Sequence, residues 1–146
     1  MQEIDNIVVP VDFDQHTNKL VDFAVSMAQK LSARILFLHV SEGFEGIARF
    51  EHPSIEEIDK SLRQHAENEM STLLARVRER CPACTGKVIN GYVVDGIIEV
   101  TRTEQGKMII IGTHGAKGIN KILLGSVAER VVKDAPCPVL TFNPYK

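Results

Sequence analysis

The chain has 146 residues, 44% of them hydrophobic, a formal net charge of −2 and a pI near 6.2. Residues 1–146 therefore read as one domain with a core of its own, and no overall positive field exists to hold nucleic acid or an anionic membrane. The start, Met1-Gln-Glu-Ile-Asp, lacks a signal-peptide layout, no apolar run approaches ~20 residues, and three cysteines are too few for a secreted scaffold. A cytoplasmic protein is expected.

Ile7 to Val11 is a β-branched run that ends at Asp12, and Leu20, Phe23, Ala24, Met27, Ala28 and Leu31 then recur at helical spacing. Ile35 to Val40 is a second strand, with His39 inside it. It opens into an unassigned loop from Ser41 to Pro53. Pro53-Ser54 with Glu57 reads as the capped start of a long helix on Ile58, Leu62, Ala66, Met70, Leu73 and Val77, and Cys81-Pro82 ends it. Lys87 to Val94 is the expected third strand, Ile97 to Thr103 a short helix, Met108 to Ile111 the fourth strand and Val139 to Phe142 the fifth. Strands alternating with helices imply a parallel α/β sheet covered on both faces, with small ligands bound beyond the strands' carboxyl ends where the winding reverses.

The densest chemical signal follows strand four. Gly112, Gly115 and Gly118 space a loop that also carries Lys117 and Lys121, and the loop closes at Gly125-Ser126, where Val127, Ala128, Val131 and Val132 give a helix face. Ser126 and Glu129 have capping-box spacing. Glycines let amides converge on one point and a helix start adds unpaired donors, so this unit suits a phosphate, with Ser126 able to donate to it. Any one of these glycines alone would be read as a turn residue. The spacing is neither a Walker loop nor a dinucleotide fingerprint.

Gly112, two residues, Gly115, nine residues and Gly125-Ser126 resemble the motif of the ATP-binding universal stress proteins, and Ile-Gly-Thr-His-Gly, Leu-Leu-Gly-Ser-Val-Ala-Glu-Arg-Val and Ala-Pro-Cys-Pro-Val-Leu resemble the family's consensus. The resemblance runs over essentially the whole chain. It implies a single-domain, five-stranded parallel sheet in the order 3-2-1-4-5, Rossmann-like and akin to the adenine nucleotide alpha hydrolases. It implies ATP as ligand, with Mg²⁺ or Mn²⁺ arriving on the phosphates, and a homodimer paired through the C-terminal edge strand Val139 to Phe142. It also carries nucleotide-contacting roles onto Pro10, Val11, Asp12 and Val40. With the motif and its flanks, Ile111, Gly112, Thr113, His114, Gly115, Ala116, Lys117, Gly118, Gly125, Ser126 and Val127 complete the expected site. Gly96-Ile97-Ile98 and Lys107-Met108-Ile109 depart from the family's Gly-x-Pro and Asp-Leu-Ile.

Other readings compete. Asp14 suits a cap for the first helix, His114 a merely solvated loop position, and Asp12, Asp14 and Thr113 could mimic a phosphoacceptor receiver, which would also need a lysine ending strand five. A slow ATPase or self-phosphorylating enzyme would draw on His114, Asp12, Lys117 and Lys121, none of which has diagnostic spacing, so no catalytic residue is assigned. A nucleotide-free scaffold would not need the glycine motif. Cys81-Pro-Ala-Cys84 follows the end of a helix instead of opening one, which disfavours a redox pair, and Cys137 completes no zinc set. The histidines show no metal-ligand spacing.

Overall fold

The computed structural model describes residues 3–42, 53–114 and 125–146, except for the side chains of Pro53 and Ser54. The strands are β1 (Asn6–Pro10), β2 (Arg34–Ser41), β3 (Cys84–Asn90), β4 (Met108–Gly112) and β5 (Val139–Phe142), and the helices are α1 (Thr17–Leu31), α2 (Pro53–Val77), α3 (Val93–Thr103) and α4 (Ser126–Asp134). All four strand pairings are parallel, in the order β3-β2-β1-β4-β5. The winding therefore reverses between β1 and β4, which lie side by side with Ile7 opposite Met108 and Val8 opposite Ile109.

Burial follows strand alternation. Ile7, Val9, Ile35 and Phe37 face one way and meet Leu20, Val21, Ala24, Val25 and Ala28 of α1 and Met70, Leu73 and Val77 of α2. Val8, Leu36, Leu38 and Val40 face the other way, against Val94, Ile97, Ile98 and Val100 of α3 and Ala128 and Val131 of α4. A strand buried on both faces needs apolar residues at every position, and the continuous runs in β1 and β4 supply them.

Four expectations need correction. β3 spans Cys84–Asn90, not Lys87 to Val94, because Gly91 at φ 140° turns the chain and Val93 and Val94 open α3. Ile58 and Leu62 do not join the core. At about 1.5 Å per residue α2 is roughly 37 Å long, whereas β3 covers roughly 23 Å, so the first turns of the helix run past the sheet and leave both side chains exposed. On α4 only Ala128 and Val131 are buried, while Val127 and Val132 are 36% and 46% exposed, because the helix is short and meets the sheet along a narrow stripe.

The fourth correction concerns Cys81 and Cys84, which form a disulfide. The chain turns tightly between them, with the Cys84 amide donating to the Cys81 carbonyl at 3.1 Å and the Cα atoms 5.6 Å apart. The pair does follow the end of α2, on the side of the helix where the dipole disfavours a thiolate. Burial pushes the Cys137 thiol above its ordinary pKa.

Candidate functional site

The carboxyl ends of β1, β2, β4 and β5 meet at one end of the sheet. The Val11 amide donates to the Leu38 carbonyl at 2.8 Å, which carries the β1 ladder one residue past Pro10. Val11, Val40 and Ile111 have buried side chains, so each can offer only backbone to a ligand. Asp12 is the first exposed residue after β1, and its Oδ1 lies 3.4 Å from the Asp14 amide.

The β1–α1 turn is held in an uncommon shape. Phe13 sits at φ 59°, a left-handed conformation that side chains disfavour. His39 supports it: its Nδ1 lies 2.7 Å from the Val11 carbonyl, and its ring packs on Phe13 at 4.9 Å. His39 was not among the expected site residues. Its signal in the sequence was a single polar residue inside the apolar strand Ile35 to Val40. Asp14 takes the local structural role: its Oδ1 accepts from the His16 amide at 2.8 Å and from the Thr17 hydroxyl at 3.3 Å, tying the turn to the first helical residue.

On the β4 side, the Thr113 amide donates to the Phe142 carbonyl at 2.9 Å and the Thr113 carbonyl accepts from Gly125 at 2.8 Å. The two ends of the glycine loop are thus stitched together at its stem. A Cβ at Gly125 would lie 2.9 Å from the Thr113 carbonyl oxygen, so this close approach requires glycine. Gly112 differs, because a Cβ there meets nothing nearer than 3.8 Å among the described residues. Gly115, Ala116, Lys117, Gly118 and Lys121, on which the phosphate expectation leans most, lie outside the described residues.

Ser126 does not cap α4 as its spacing with Glu129 suggested. Gly125 occupies the N-cap, Ser126 is the first helical residue, and no side chain among the described residues caps the helix. One position of displacement removes the reciprocal geometry that a capping box needs. The consequence favours a ligand role, since no described side chain takes the amides at the helix start and the Ser126 hydroxyl does not cap them. Among the described residues, no three His, Cys, Asp or Glu side chains are placed to share a metal ion.

The structure therefore gathers Pro10, Val11, Asp12, Val40, Ile111, Gly112, Thr113, His114, Gly125, Ser126 and Val127 around the winding reversal. His114 leaves β4 with its Nδ1 2.8 Å from the Thr113 hydroxyl. β5 ends on Phe142 and not on a lysine, Lys146 coming only four residues later, and the Thr113 hydroxyl faces His114; neither feature serves a receiver's phosphoaspartate.

Known proteins agree with this architecture. A protein from Methanocaldococcus jannaschii, universal stress protein MJ0531, is 28% identical over 140 residues, covering 96% of this chain and 82% of its own. The structure of universal stress protein UspA from Lactobacillus plantarum superposes with a TM-score of 0.87 at 23% identity, covering 97% and 99% of the two chains. A universal stress protein from Archaeoglobus fulgidus solved with dAMP matches at a TM-score of 0.66 and 21% identity, over 96% of this chain and 98% of that one. The structure of a universal stress protein in complex with cAMP matches at a TM-score of 0.70 and 18% identity, over 98% and 99% of the two chains. At these identities the structural likenesses speak for the fold. The sequence model of the universal stress protein family matches residues 3–143, nearly the whole chain, and the chain belongs to that family.

Proposed function

We propose that this chain is an ATP-binding regulatory module in the stress response. Nucleotide would occupy the carboxyl ends of β1 and β4, with Asp12 accepting hydrogen bonds from the nucleoside and the backbone at Val11 and Val40 bordering the base. The phosphates would take the amides between Gly112 and Val127, including Thr113 to Gly118, with Lys117 adding charge and the Ser126 hydroxyl donating. The observation that carries this reading is the start of α4, which no described side chain caps, held beside β4 by the Gly125 to Thr113 hydrogen bond, because a helix N-terminus at a winding reversal suits an anion. Relatives of this fold solved with dAMP and cAMP support an adenine nucleotide. Mg²⁺ or Mn²⁺ would come with the triphosphate, neutralising charge that Lys117 and Lys121 only partly balance.

Homodimerisation through β5 belongs to the same proposal. β5 is an edge, and its apolar Val139, Leu140 and Phe142 are only partly covered by their own chain. A cytoplasmic location fits a chain whose described helices include none long and apolar enough to cross a membrane, and the cytoplasm's thiol pool would tend to open the Cys81–Cys84 bond. Hydrolysis or self-phosphorylation remains the second reading, because His114 stands at the entrance to the glycine loop with a hydrogen-bonded ring nitrogen.

Denaturing freshly purified protein and identifying the released small molecules tests the proposal. An adenine nucleotide at near one per chain is the expected result. Protein that releases none and cannot be reloaded with ATP would leave a nucleotide-free scaffold. Single-turnover assays with labelled ATP separate a binding module, which returns ATP unchanged, from an enzyme.

A further inference from the structure

After β5 the chain turns back over the carboxyl ends of the strands. The Tyr145 amide donates to Asn143 Oδ1 at 2.9 Å, the Lys146 amide to the Asn143 carbonyl at 3.2 Å, and Lys19 Nζ of α1 to the Pro144 carbonyl at 3.2 Å. Phe142 stacks on Phe23 with centroids 4.9 Å apart, anchoring the root of this tail on α1. These contacts set the Tyr145 ring between two imidazoles. His16 meets it edge-on at 4.8 Å and 70°, with its Nε2 3.0 Å from the phenol oxygen. His114 meets it at 4.8 Å and 90°.

One exposed aromatic ring thus ties the tail to two separate parts of the candidate site: the β1–α1 turn through His16 and the exit of β4 through His114. His114 is in turn linked to Thr113, whose carbonyl receives the Gly125 amide. Edge-to-face contacts of this kind are directional, so they fix the rotation of the His114 ring as well as its distance.

We propose that Tyr145 is a positioning residue of the nucleotide site. It holds His114 and, through Thr113, the Gly125 amide before α4, so that the exit of β4 and the start of α4 keep the spacing that a phosphate would bridge. The proposal rests on the nucleotide reading above, and it adds that the C-terminal tail supports the phosphate half of the site through His114, while the β1–α1 turn that carries Asp12 is held by Asp14 and His39 and does not need the tail.

Isothermal titration of the full-length protein with MgATP and, separately, with adenosine tests this on the wild type, Tyr145→Ala and Tyr145→Phe. Tyr145→Ala is expected to weaken MgATP binding about three- to tenfold, the scale of the one aromatic contact to His114, while adenosine affinity stays within about twofold. Tyr145→Phe keeps the ring between both imidazoles and loses only the hydroxyl, so it is expected to bind MgATP within about twofold of wild type. Wild-type protein that binds no MgATP overturns the nucleotide reading itself. Wild-type binding with an unchanged Tyr145→Ala overturns only the positioning role. So does tighter MgATP binding in Tyr145→Ala, which would make the tail a plug, and so does an equal loss for both ligands or a Tyr145→Phe as weak as Tyr145→Ala.

Discussion

The two ends of the sheet are built on different terms. At the amino ends, the Arg34 amide donates to the Asp5 carbonyl and the Lys107 amide to the Asn6 carbonyl. The buried Asn6 side chain donates to the Glu104 carbonyl at 2.7 Å, and the Gly106 amide donates to the Thr101 carbonyl. Helix-to-strand connections there are short and consume their own hydrogen bonds. At the carboxyl ends the connections after β2 and β4 are long, the one after β1 carries a left-handed phenylalanine, and polar side chains gather: Asp12, His16, His39, Thr113, His114 and Tyr145. The first end closes the fold, and the second keeps donors and strain where a ligand can use them.

Substitution at each end tests this contrast. The largest expected effect is Gly125→Val, whose side chain would drive into the Thr113 carbonyl at the loop stem. Nucleotide affinity should fall by at least about a hundredfold, because the α4 amides and the loop would no longer share one anion. Part of that loss will appear as lower stability, since the clash is with backbone, so circular dichroism must accompany the titration. A folded Gly125→Val that binds normally would detach the loop stem from function.

Gly106→Val is the matched change at the other end. Its Cβ would lie 2.9 Å from Val8 Cγ2 and 3.0 Å from Thr101 Cγ2. Overpacking there should cost about 1–3 kcal/mol in denaturant unfolding, with the remaining folded protein binding nucleotide as wild type does. Altered affinity in that variant would show that the two ends are coupled.

The smallest effect concerns neither end. Burial pushes the Asp22 carboxyl up, but hydrogen bonds and charge from Arg80 and Arg76 outweigh it and hold its pKa below the ordinary value. A lowered folded pKa contributes stability above the unfolded pKa, and that contribution is lost as pH falls through the folded value. Both ion pairs are substantially exposed, at 3.0 and 2.9 Å, so Asp22→Asn should cost less than about 1 kcal/mol at pH 7. The difference from wild type should vanish in acid, below the ordinary carboxylate range. A difference that persists there would assign the effect to packing instead of charge.

How far the sequence alone reached depends on whether a feature is local. The apolar runs of β1, β2 and β4 and the amphipathic stripe of α1 could be read directly, because period and composition act within a few residues. Alternation gave the parallel sheet, while the strand order came only with the family resemblance. The end of β3 was misplaced because Val93 and Val94 extend an apolar pattern across Gly91, and periodicity carries no dihedral angle. Ser126 was misread by one position, within the usual uncertainty of helix ends. Tyr145 and His16 are 129 residues apart, and no spacing rule links them; their meeting depends on the return of the chain after β5. The Cys81–Cys84 bond depends on a turn whose shape the C-x-x-C spacing allows but does not dictate.

The central claim is that amides at the carboxyl ends of β4 and at the start of α4 bind a nucleotide triphosphate. Calorimetric titration of nucleotide-stripped protein with MgATP tests it most directly. The account predicts saturable heat at one nucleotide per chain and a matching rise in melting temperature. No heat and no thermal shift at millimolar MgATP would contradict it.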